Sequence, residues 1–156
     1  MNSKMEKQTL GPVSDNGQRD RPIWLALLAV QGAYFAILGA WPIFDVQSFQ
    51  AVSGPKTDHL VTGNEDDHWL VITVGALITV IGLTLLVACW QKRLSLEVGF
   101  MAIGSAIALA AVDVVYVSRK VIDPIYLADA GVELIFVIGW LIIGLRHQYS
   151  SHKNGI

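Results

Sequence analysis

The sequence predicts an all-α protein: a four-helix transmembrane bundle of up-down topology, both termini cytoplasmic, with a short extracytoplasmic surface helix after the first span. Three observations carry that expectation. Hydrophobic residues make up 53% of the 156-residue chain, at a mean hydropathy of +0.51, too apolar for an ordinary soluble domain of that size. They gather into four segments, 23–44, 69–90, 94–117 and 125–145, each about as long as a ~30 Å hydrocarbon core requires at ~1.5 Å rise per residue. Lys and Arg also divide unequally between the connections. With the N-terminus inside, the cytoplasmic segments hold Lys4, Lys7, Arg19, Arg21, Lys92, Arg93, Arg146 and Lys153, against Lys56, Arg119 and Lys120 on the other side.

Residues 1–22 are polar, with Gly11, Pro12, Ser14, Asp15, Asn16 and Gly17 as helix breakers, and read as a disordered cytoplasmic tail unlike a signal peptide. The first two apolar segments contain no charged residue, so neither offers the polar face that a helix in a soluble bundle needs. Between them, Val46, Phe49 and Val52 recur every third residue, Asp45 can cap the start and Gly54-Pro55 ends the run, which predicts a short helix lying on the membrane surface. The remainder of that loop, 56–68, is acidic and turn-rich. Gln91, Lys92 and Arg93 form a tight inner turn, Asp123-Pro124 marks the outer one, and 147–156 is a cytoplasmic tail.

Tryptophan favours the headgroup boundary, and Trp24, Trp41, Trp69 and Trp90 lie at or near span ends, with Trp140 about one turn inside and assigned to the inner belt. Small residues on helical spacing mark where helices can touch. Gly32/Ala36/Gly39, Gly75/Thr79/Gly82 and Gly104/Ala108/Ala111 are such stripes. Gln31 is expected to hydrogen-bond across helices.

The runs Gly39-Ala-Trp-Pro-Ile-Phe44, Ser48-Phe-Gln-Ala-Val-Ser-Gly-Pro-Lys-Thr-Asp58 and Trp69-Leu-Val-Ile-Thr-Val-Gly75 resemble a family of small four-helix bacterial membrane proteins with no assigned function. The similarity extends from the first helix onward. Its most specific part is Ser53-Gly-Pro-Lys-Thr-Asp58 followed by the Trp-Leu-Val opening of the second span, here separated by a longer stretch, 59–68. The resemblance implies a bacterial cytoplasmic-membrane location and a four-helix architecture, and it supplies no activity.

Several function classes fall away. A net charge of -2 without a basic stripe argues against nucleic acid as a partner. Cys89, the single cysteine, rules out an internal disulfide, a CxxC pair and multi-thiolate metal sites. His59, His68, His147 and His152 lie outside the spans or at their ends, which removes a pair of intramembrane haem ligands. Phosphate-binding glycine loops, nucleophile elbows and His-Glu-x-x-His motifs are absent from the sequence.

Ionisable residues inside spans carry the remaining weight, because an Asp at a helix centre costs about 2.5–3.5 kcal/mol on insertion scales. Asp113, Tyr116 and Lys120 share a face of the third helix, and Asp129 and Glu133 share one of the fourth. The turn between those helices would bring Asp113, Tyr116, Asp129 and Glu133 into a candidate pocket open to the outer surface. The favoured expectation is structural: Asp113 bonds Tyr116 or the neighbouring helix, and Asp129 caps its helix or sits among headgroups. His59, Asp66, Asp67 and His68 are of metal-ligating type, but their spacing matches no metal motif, so a solvated acidic loop, no metal and no cofactor are expected.

Function is then expected to be non-enzymatic, as an accessory subunit or a small binder of lipid or another apolar molecule. The alternative is a membrane enzyme or proton-coupled carrier using the outer carboxylates. The expected partners are the lipid bilayer and either another membrane protein or a second copy of the chain. Topology is tested with single cysteines at Asn16, Asn64 and Ser151 in a Cys89→Ser background: in intact cells a membrane-impermeant thiol reagent should label position 64 alone. Labelling at 16 or 151 instead would reverse the orientation.

Overall fold

The computed structural model describes residues 21–53 and 68–153. In chain order the helices are α1 (Arg21–Phe44), α2 (Val46–Ser53), α3 (His68–Trp90), α4 (Leu96–Ser118) and α5 (Tyr126–Lys153). Four are long and apolar enough to cross a membrane, over Ile23–Phe44, Trp69–Trp90, Leu96–Ser118 and Tyr126–Arg146. These spans lie within two residues of the sequence expectation. Two of the differing helix ends stand out. α4 starts at Leu96 because Ser95 is its N-cap, its side chain accepting from the Val98 amide. The last helix does not stop at the membrane boundary but continues to Lys153, through most of the stretch expected to be a tail.

α1 packs most extensively on α3, and α4 on α5, with α1 also meeting α5. The α1–α3 contact is made by glycine. A Cβ on Gly39 would lie 2.6 Å from both the Gly75 carbonyl oxygen and the Thr79 amide nitrogen, and one on Gly32 would lie 2.9 Å from the Gly82 carbonyl oxygen. Gly75 and Gly82 press back against Gly39, Pro42, Gly32 and Ala36. Two of the expected small-residue stripes therefore interlock, which suits a medium where close backbone approach replaces the hydrophobic drive. The third expected stripe does not. Gly104 has nothing within 4 Å of its missing Cβ, and Ala108 and Ala111 are exposed. α4 instead buries Ala102, Ala106, Ala110 and Asp113, and its main partner α5 buries Ala130, Glu133, Phe136 and Trp140.

The core joins Leu28 and Phe35 of α1 to Leu85 and Ala88 of α3, Ala102 of α4 and Trp140 of α5. Most other large apolar side chains, such as Leu77, Val80 and Leu83 along α3, are exposed, as lipid-facing residues are. Hydroxyls on these faces bond their own helix: Thr73 to the Trp69 carbonyl, Thr84 to that of Val80, and Ser105 to that of Met101.

Asp45 caps α2 by accepting from the Ser48 amide at 2.9 Å. Trp41 fastens this short helix to α1: its indole donates to Ser48 Oγ at 2.7 Å and its ring meets that of Phe49 edge-on at 5.9 Å. Both tight turns end a helix alike. Lys92 and Lys120 take left-handed φ values of 53° and 58°, letting the Arg93 amide reach the Ala88 carbonyl and the Val121 amide that of Tyr116.

The glycine interlock makes a sharp prediction. Gly39→Val and Gly82→Val should each destabilise the protein by about 3 kcal/mol or more, because backbone must move, whereas Gly104→Val should change stability by less than about 1 kcal/mol. Unfolding in mixed detergent measures this, and equal losses at all three positions would refute the packing.

Candidate functional site

Polar groups enter the bundle interior at two levels. At the first, Gln31 of α1 is fully buried and bonded on both sides: its amide nitrogen donates to the Ala102 carbonyl at 2.8 Å, and its oxygen accepts from Trp140 Nε1 at 2.8 Å. One side chain thus ties α1 to α4 and α5, as expected of a cross-helix hydrogen bonder. Trp140 is corrected by the same observation. It belongs to the core and not to the inner belt, because Gln31 gives its N–H a partner there.

At the second level Asp113, Asp129 and Glu133 come together. Asp113 lies in the last two turns of α4, Asp129 in the first turn of α5, and Glu133 about one turn further on. The Asp113 carboxyl is within hydrogen-bonding range of Asp129, and Glu133 lies within the electrostatic reach of both. The antiparallel α4–α5 hairpin produces this meeting. Its turn is built by Asp123, whose carboxylate accepts from the Ile125 amide at 3.1 Å and whose carbonyl accepts from the Tyr126 amide at 3.2 Å.

Tyr116 is not part of the cluster. It is 42% exposed, and its hydroxyl makes no hydrogen bond among the described residues. The phenol comes from α1 instead, where Tyr34 donates its O–H to Asp129 Oδ1. The Asp129 side chain therefore joins the first helix to the last. Three aromatic rings flank the carboxyls: Tyr34 lies 5.7 Å from Phe136 and 6.3 Å from Phe35, and Phe35 meets Phe136 edge-on at 6.4 Å.

The hydrogen bonding is incomplete. Glu133 is 1% exposed and neither carboxyl oxygen has a partner, and Asp113, 8% exposed, has one oxygen in the same condition. Among the residues whose side chains are described, no cation fills the gap. Lys92, Arg93, Arg119, Lys120 and Arg146 are exposed at helix ends. Three carboxylates together in a low-dielectric interior need compensating positive charge, as protons or as a bound cation. Among the described residues, no group of three or more His, Cys, Asp or Glu is arranged to hold a metal ion. Of the loop residues of ligating type, His59, Asp66 and Asp67 lie outside the described residues, and His68 opens α3.

No protein-family model, curated protein or solved structure matches this chain.

Gln31 offers the clearest test of the polar interior. Gln31→Leu strands the Trp140 N–H in the core, and should destabilise the protein by about 2 kcal/mol with a shift in tryptophan emission. A loss below about 0.5 kcal/mol would mean that the three-helix tie contributes little.

Proposed function

We propose that the protein is a non-enzymatic, multi-pass protein of the bacterial cytoplasmic membrane, both termini inside, that binds a small partly apolar molecule with Asp113, Asp129 and Glu133 at the polar end of the site. The Lys and Arg asymmetry supports the orientation. The observation that supports binding over a purely structural role is Glu133, buried with both oxygens unpartnered on the packing face of α5. An unmatched buried polar group costs about 1–3 kcal/mol, more when charged. An apolar side chain would pack there without that loss. A group so placed is what a ligand-binding site requires and what an accessory bundle has no use for.

A second reading, a proton-coupled carrier, draws on the succession Tyr34, Asp129 and Asp113, neighbours along which a proton can pass. It uses the same carboxyls.

Stability separates a functional carboxyl from a structural one. Glu133→Met, similar in volume and free of polar atoms, should stabilise the detergent-solubilised protein by about 1–3 kcal/mol. A comparable loss in a thermal or denaturant unfolding series would show that the carboxyl holds the bundle together, and the binding proposal would fall.

A further inference from the structure

We infer, resting on the binding role proposed above, that the ligand is a lipophilic ammonium: one or more N–H donors on a positive nitrogen, carried by an apolar chain. Two features of the fold meet to define it. The first is the unsatisfied carboxyl cluster. The second is an apolar groove of about 300 Å³ between α1 and α5, lined by Ala26, Leu27 and Val30 on one side and Ile135, Phe136 and Gly139 on the other. Gly139 shapes the floor, since its missing Cβ would stand 3.2 Å from both Leu27 methyl carbons.

Phe136 links the two. It lines the groove, its ring packs on Tyr34, whose hydroxyl bonds Asp129, and it follows Glu133 by about one helical turn.

Charge and geometry select the head group. Three carboxyl oxygens lack donors, and an ammonium supplies positive charge and directional N–H bonds together. The rings of Tyr34, Phe35 and Phe136 pack on one another on the side where Tyr34 bonds Asp129, and a cation within ~6 Å of an aromatic face is attracted to it. A fatty acid would set a further carboxyl against the three already there and supply no positive charge. A fatty alcohol would bring a donor without compensating charge.

The test uses the full chain in phosphatidylcholine nanodiscs, titrated calorimetrically with decylamine, decanol or sodium decanoate, with empty nanodiscs subtracted. Decylamine should bind saturably and the other two should only partition. Glu133→Gln and Asp113→Asn should each weaken decylamine binding at least tenfold, and so should Ala26→Trp, which fills the groove without touching the acids. Saturable binding of decanol with equal affinity would overturn the ammonium, and binding indifferent to Ala26→Trp would overturn the groove. If decylamine never saturates while Glu133→Met still stabilises the fold, this inference fails and the broader binding role stands. Should Glu133→Met instead destabilise it, both fail.

Discussion

Backbone contact between α1 and α3 governs much else in this bundle. Gly32, Gly39, Gly75 and Gly82 bring the two helices so near that peptide groups touch, and that rotational setting leaves little freedom in where the rest of α1 points. With one face of α1 against α3, Gln31 is directed at Ala102 and Trp140, and Tyr34 at Asp129. The first helix thereby becomes the element that all others consult. In hydrocarbon, where apolar contact alone has no preference for protein over lipid, such steric fit and a few interior hydrogen bonds are what define a unique arrangement.

Gln31 and Glu133 make an instructive pair. Both are essentially inaccessible, both are long polar side chains inside an apolar bundle, and they lie on helices that touch. Gln31 has a partner at each end of its amide; Glu133 has none at either oxygen. The first is therefore intelligible as structure. The second, like one oxygen of Asp113, departs from the accounting that otherwise holds for buried side chains among the described residues, and that extends to the Thr73 and Thr84 hydroxyls bonded within α3. Departures of that kind in a membrane interior mark sites of use.

The spans were readable because some twenty consecutive apolar residues have few other homes, and the surface helix because Asp45, Val46, Phe49 and Val52 combine a cap with a period. The three acids were readable through helical spacing and a short hairpin. Their company was not. Small residues occur on several sides of α4, so spacing alone does not separate Gly104/Ala108/Ala111 from the face that is buried, Ala102/Ala106/Ala110. Asp113 itself held the cue, because an intramembrane charge points inward, and its phase selects Ala102, Ala106 and Ala110. Tyr34 gave no local sign. Nothing in the neighbourhood of a tyrosine in α1 tells that its hydroxyl will meet a carboxylate ninety-five residues later.

The length of α5 bears on how events at the acids could be felt elsewhere. From Glu133 to Lys153 the helix runs unbroken, past the end of its apolar span at Arg146, a distance of about 30 Å. A rigid rod pivoted near its buried carboxyl is a lever. Tilting it by ~5° would displace the far tip by roughly 3 Å, on the same ~1.5 Å rise per residue, so a small change of tilt at Glu133 is felt most where the helix ends, at Lys153.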